Sequence, residues 1–171
     1  MEKRGQKRLL LAFDGSFHAQ EAVRYIASIP GFRHLEIVLF HVFQKIPDCY
    51  YDLEVSTPLG SRIKEIHAWE IQEEHNIQEA LDRARKHLIE AGVPREHIHV
   101  KLQERRKGIA RDIALESKQG YAAVVVGRKG MSRIRELVMG SVSANLLEKL
   151  TFIPMIVVGR NSSCDRVLIA V

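Results

Sequence analysis

At 171 residues with 46% hydrophobic and 27% charged side chains, the chain has the composition of one well-cored domain, or one domain plus a fragment. A net charge of +5 suits an anionic ligand such as a nucleotide, but it suits nucleic acid or a membrane surface as well, so charge alone selects none of them. Cys49 and Cys164 lie far apart outside any CxxC, no run approaches the roughly 18 apolar residues of a membrane span, and the first apolar run is too short for a signal peptide, which together predict a cytoplasmic chain with reduced thiols and no membrane partner.

In chain order, "RLLLAF" (8–13) is a short apolar run ended by "DGS", as expected of a buried strand opening into a turn. "FHAQEAVRYIASI" (17–29) follows with Ala19, Ala22, Val23, Ile26 and Ile29 on one helical face, and Pro30 with Gly31 stops it. "LEIVLFHV" (35–42) is a second strand, and the irregular stretch after it, with Pro47, Pro58 and Gly60, is the longest loop. A long amphipathic helix then spans 62–92, its clearest apolar stripe running through Ile77, Leu81, Ala84, Leu88 and Ala91. "HIHVKLQ" (97–103) alternates apolar and polar residues like an edge or half-covered strand. "GIARDIALESKQG" (108–120) is a short helix with Ile109, Ala110, Ile113 and Ala114 on one face. "YAAVVVG" (121–127) is the most apolar strand, "SVSANLLEKL" (141–150) a helix and "PMIVVG" (154–159) a last strand. Strands alternating with helices over short connections imply a parallel sheet covered on both faces, because parallel strands need crossover helices.

The polar "GRNSSCD" before the tail resembles a linker, and "RVLIAV" (166–171) matches "RLLLAF" (8–13) closely, with Arg8, Leu10 and Ala12 facing Arg166, Leu168 and Ala170. Residues 1–160 are therefore expected to form one domain, and 161–171 a linker with the first strand of a truncated second copy. An extra edge strand that resembles the first by chance is the alternative.

Two glycine-bearing turns sit at strand ends, "DGS" and "GRKG", and ligands of open parallel sheets bind beyond the carboxyl ends of the strands. Gly127 and Gly130 permit close backbone approach to a ligand or a positive φ. Gly140 and Ser141 open a helix whose amides at Ser141, Val142 and Ser143 lack intrahelical partners and favour an anion, with two serine hydroxyls as further donors. Between them Arg128, Lys129, Arg133 and Arg135 outnumber the acid Glu136, as in a basic flap over a polyphosphate. Spacing alone leaves open a simple connector with a serine cap. Asp14 suits either a ribose acceptor or a helix N-cap, with Ser16 a rival for the cap.

Other residues carry weaker signals. His67 and His75, among Glu70, Glu73 and Glu74, lack HExxH spacing and read as a solvated face. His97 and His99 read as exposed strand positions, His41 as packed or hydrogen-bonded, and Trp69 as a packing residue. The basic turn "QERRKG" (103–108) has no interleaved aromatics to support nucleic acid. Nothing forms a nucleophile–base pair, so no catalytic residue is assigned and any ATP hydrolysis is expected to be slow.

With those residues in place, the chain resembles the universal stress proteins over about 7–159. The resemblance rests on G-x2-G-x9-G-[S/T], filled by Gly127, Gly130, Gly140 and Ser141, on "AFDGS" at the first strand end, and on His41 and Val42 at the second. It implies an open sheet of five parallel strands in the order 3-2-1-4-5, helices on both faces, and ATP with Mg²⁺ carried on the phosphates. It also implies homodimers, or intramolecular pairing of tandem copies. By the same resemblance Ala12, Phe13 and Val42 line the adenine site and Asp14 meets the ribose. Gly127, Arg128, Gly130, Gly140, Ser141, Val142 and Ser143 hold ribose and phosphates. The chain departs from the pattern at Arg128, Lys129, Arg133 and "IPM" (153–155), none of which removes a phosphate-binding amide. An ATP-binding regulatory module of the stress response is the leading expectation. A nucleotide-free dimerising scaffold and an adenylating enzyme of related fold are the alternatives.

Overall fold

The computed structural model describes residues 7–45, 60–130 and 139–159, with backbone only for 60–67. The loop around Cys49, the basic segment with Arg133, Arg135 and Glu136, and the tail at 161–171 lie outside those residues, as does the side chain of His67.

The described elements alternate from β1 (Arg8–Ala12), α1 (Phe17–Ser28), β2 (Glu36–Phe43) and α2 (Gly60–Glu90) to β3 (Ile98–Glu104) and α3 (Ile109–Glu116). β4 (Tyr121–Gly127), α4 (Ser141–Lys149) and β5 (Met155–Val158) follow. The sheet has five strands, all parallel, in the order β3-β2-β1-β4-β5, as the alternation of elements and the family resemblance predict. In register, Leu10 faces Val38 on one side and Val124 on the other, which puts the most apolar strands at the centre.

Because side chains alternate across a strand, each central strand feeds two cores. Leu11, Leu39 and Val125 pack on one face against Val23 and Ile26 of α1 and Leu81 and Leu88 of α2. Leu10, Phe40, Val124 and Val126 pack on the other against Ile113 of α3 and Leu146 of α4. Each such fully buried side chain contributes about 1.5–3 kcal/mol relative to exposure. β3, at the edge, exposes His99 and Lys101, as its alternating pattern implies, and also Leu102 on the opposite face, where the pattern puts an apolar residue.

Three local expectations are corrected. Trp69 is 63% exposed on α2, so it packs against little of what is described. His97 belongs to a 3₁₀ turn (Arg95–His97) rather than to β3, because Pro94 precedes that turn, and it is only half-buried. Ile109 shares a helical face with Ile113 yet stays 41% exposed, since it stands at the first turn of α3, where the face looks into an open crevice.

Candidate functional site

Helices α1 and α2 cover one face of the sheet and α3 and α4 the other, so the crossovers diverge between β1 and β4. At that switch point the strand ends open a crevice. It holds a cavity of about 320 Å³.

The "DGS" turn builds one wall. Gly15 takes φ +75°, a conformation glycine adopts without penalty. Ser16 is the N-cap of α1, its Oγ accepting from the Ala19 amide at 3.1 Å. Asp14 is not the cap: its Oδ1 accepts from the Ser16 amide at 3.0 Å, an Asx turn that fixes the carboxylate at the crevice. On the far side, a Cβ on Gly130 would lie 2.6 Å from Asp14 Oδ2, so glycine there lets the carboxylate meet the loop after β4.

The other wall is the start of α4. Gly140 is its N-cap and offers no side chain to the helix, and the first intrahelical bond runs from the Ala144 amide to the Gly140 carbonyl. The amides of Ser141, Val142 and Ser143 are thus left without intrahelical partners at the positive end of a helix dipole. Gly140 is itself locked, its amide donating to the Arg128 carbonyl at 2.8 Å. A Cβ added to it would meet Lys129 Cα at 3.1 Å and Gly130 N at 3.3 Å.

The expected residues converge, with differences. Ala12, Phe13, Asp14 and Val42 line the cavity from β1 and β2. Gly127, Gly130, Gly140, Ser141, Val142 and Ser143 line it from β4 and α4. Arg128 does not line it; its side chain is exposed, and its backbone ties the loop to Val158 and Gly140, while Lys129 lines the cavity in its place. Ser143 is 3% exposed and its hydroxyl donates to the Gly127 carbonyl at 2.8 Å, so that hydroxyl serves as a latch between α4 and β4 rather than as a further donor to a ligand. Gly127 has a structural duty as well. A Cβ there would stand 2.6 Å from the backbone of His18, so the missing side chain lets α1 close on β4.

Besides Lys129, six lining residues escaped the sequence-based site: Ala19, Phe40, His41, Ile109, Ile113 and Val126. Phe40 stands two residues before Val42 on the same strand face, and Ile113 lies one helical turn beyond Ile109, so the strand period could have added Phe40 and the helix period would have brought Ile113 in with Ile109. His41 Nδ1 lies 2.8 Å from the Phe13 carbonyl, and since a carbonyl only accepts, Nδ1 carries the proton. Burial lowers the His41 pKa below 6.5, outweighing the opposing pull of that hydrogen bond and of Asp14 and Glu73, so the ring is neutral at pH 7. The cavity is accordingly apolar at the β2 side and rich in unpaired backbone donors at the α4 side.

A family model described as the universal stress protein family matches residues 6–159. The chain belongs to the universal stress protein family. A universal stress protein of Mycolicibacterium smegmatis is 27% identical over 139 residues, which cover 81% of this chain but only 44% of that protein. Among solved structures, the protein MJ0577 superimposes with a TM-score of 0.62 at 22% identity, covering 92% of this chain and 98% of that one. A family member from Arabidopsis thaliana, solved with AMP bound, gives 0.59 at 15% identity over 91% of this chain and 93% of its own. One from Archaeoglobus fulgidus, in complex with dAMP, gives 0.56 at 17% identity over 89% of this chain and 96% of its own. At these identities the structures establish the shared fold. Among the described residues no helix is long and apolar enough to cross a membrane.

Proposed function

We propose that the cavity binds an adenine nucleotide, ATP in the cell, and that the domain serves the stress response as a nucleotide-dependent regulatory module. The observation that carries this is the placement of three helix-start amides, Ser141 to Ser143, on the same cavity as Asp14 and the apolar wall at Val42. The groups match a nucleotide from end to end. The apolar side at Ala12, Phe40 and Val42 suits a base, the Asp14 carboxylate suits ribose hydroxyls, and the amides at Gly130 and the α4 start suit phosphates, with Lys129 adding charge. The AMP and dAMP held by two relatives support the adenine assignment. Mg²⁺ would be carried on the phosphates, since no cluster of three metal-ligating side chains exists among the described residues. The chain's contribution is to bind and orient; among the described residues no side chain in the cavity is placed as a nucleophile with its base, which suits a binding role.

The test is calorimetric titration of ATP and AMP, with identification of any nucleotide that copurifies. Gly140→Val keeps a backbone conformation open to valine (φ −69°, ψ 152°) but pushes the loop at Lys129 and Gly130 off the start of α4. It is expected to abolish nucleotide binding while the far-ultraviolet circular dichroism stays that of the parent. A purified chain that neither carries nor binds any adenine nucleotide overturns the proposal, and retained affinity in the variant shows that the phosphates lie elsewhere.

A further inference from the structure

Next to the nucleotide cavity, and sharing Ile109, Ser141 and Val142 with it, opens a second groove of about 330 Å³ between the starts of α3 and α4. Arg105, Lys107, Arg111 and Lys149 line it, and among the described residues no acidic side chain does. None of these four cations has an ion-pair partner among the described residues. The acid in this segment, Asp112, is 1% exposed and turned inward, where it accepts from the amides of Arg106, Lys107 and Gly108. It therefore holds the basic loop in shape from within and keeps its own carboxylate off the groove lining. Like charges crowded within a Debye length of roughly 8 Å repel one another, and an anion between them relieves that repulsion.

The backbone adds to the same field. α3, like α4, starts on a glycine N-cap with no capping side chain, Gly108, whereas α1 is capped by Ser16. Both helix starts line the groove, but Asp112 in the first turn of α3 offsets that helix's dipole, so the uncompensated start of α4 and four cations converge on it. Because Ser141 and Val142 belong to both spaces, a linear polyanion passing the start of α4 meets the cavity and the groove in turn.

We propose that this groove is a second phosphate subsite, which takes the distal phosphates of an adenine nucleotide whose 5′ chain is longer than the first cavity accommodates. The proposal rests on the nucleotide reading above and names its ligand class: nucleoside polyphosphates are selected over monophosphates by charge outside the nucleotide cavity. The test titrates AMP, adenosine 5′-tetraphosphate and inorganic tripolyphosphate into the full chain and into a Lys107→Gln/Arg111→Gln variant, both of whose side chains are exposed and outside the nucleotide cavity. Loss of two charge-assisted contacts is expected to weaken the tetraphosphate by about tenfold or more and to leave AMP unchanged. A variant that binds both as the parent does overturns the subsite and leaves the nucleotide site standing. If neither nucleotide binds the parent, the nucleotide reading falls and tripolyphosphate decides. Binding that the variant loses then keeps the groove as a site for free polyphosphate, and no binding overturns it.

Discussion

Gly127→Ala separates two duties that the glycine motif runs together. The added Cβ would lie 2.6 Å from the His18 carbonyl carbon and oxygen and 2.9 Å from its Cβ, against ordinary contact that begins at 3.4 Å. Relief requires α1 and β4 to part by about 0.8 Å, because the atoms in the way are backbone and cannot rotate aside. Overpacking of this kind costs about 1–3 kcal/mol, and contact with two backbone atoms puts this case in the upper half. The reduced freedom of alanine in the unfolded chain returns about 0.5 kcal/mol. A net loss of about 2 kcal/mol lowers Tm by about 4–8 °C in a chain of this size. Thermal melts followed by circular dichroism measure it, with Gly31→Ala as the control, since a Cβ at Gly31 meets nothing within 4 Å. A Gly127→Ala protein that melts within about 1 °C of the parent refutes the reasoning and returns Gly127 to a purely ligand-facing role.

Two further perturbations probe the surroundings of the cavity. The pKa of His41 is lowered by burial, so below pH 6.5 the unfolded chain takes up a proton that the native ring refuses; stability is full above that pH and declines as pH falls toward the native value, and His41→Gln should flatten the slope just below pH 6.5 in urea titrations. Parallel slopes in parent and variant would show that the ring titrates normally. Asp112→Ala strips the shared acceptor from three amides, at 2.9 Å for Arg106, 3.1 Å for Lys107 and 3.3 Å for Gly108, and should cost about 3 kcal/mol by urea unfolding, with Asp112→Asn costing less because one oxygen remains. A loss below about 1 kcal/mol in the alanine variant would mean that water replaces the carboxylate.

The fold was legible because its signals agree at every level. Continuous apolar runs in β1 and β4 mark central strands, the mixed pattern of β3 marks an edge, and the 3.6-residue stripes of α1 and α2 mark their buried faces. The convergence of Asp14, Val42 and the Gly140 segment followed from that topology, since parallel strands bring all their carboxyl ends to one side. Other features had no sequence signature. A glycine reads the same whether it clears a ligand or a neighbouring helix, so the packing of Gly127 on His18 was hidden. The loop after β4 has no period, so nothing distinguished Lys129, which faces the cavity, from Arg128, which does not. Asp112 in "IARDIALE" looks like a surface acid until the chain before it folds back to present three amides.

The division of labour among the glycines shows how the shape of the candidate site is set. Its walls are set by backbone clearances: Gly127 brings α1 and hence the Asp14 turn onto β4, Gly130 admits the Asp14 carboxylate, and Gly140 seats the loop against the start of α4. The donors they align are amides, which any sequence supplies. Side chains elsewhere in the sheet can then change freely so long as they remain apolar and of similar volume. Substitutions should be costly only where a Cβ would intrude, or where a charge is the recognising group, as at Asp14 and the cations of the adjoining groove. Of those cations Arg105, Lys107 and Arg111 are exposed and Lys149 is half-buried, so most carry no such packing constraint. On the proposed reading, the groove can therefore change its phosphate preference without disturbing the cavity walls.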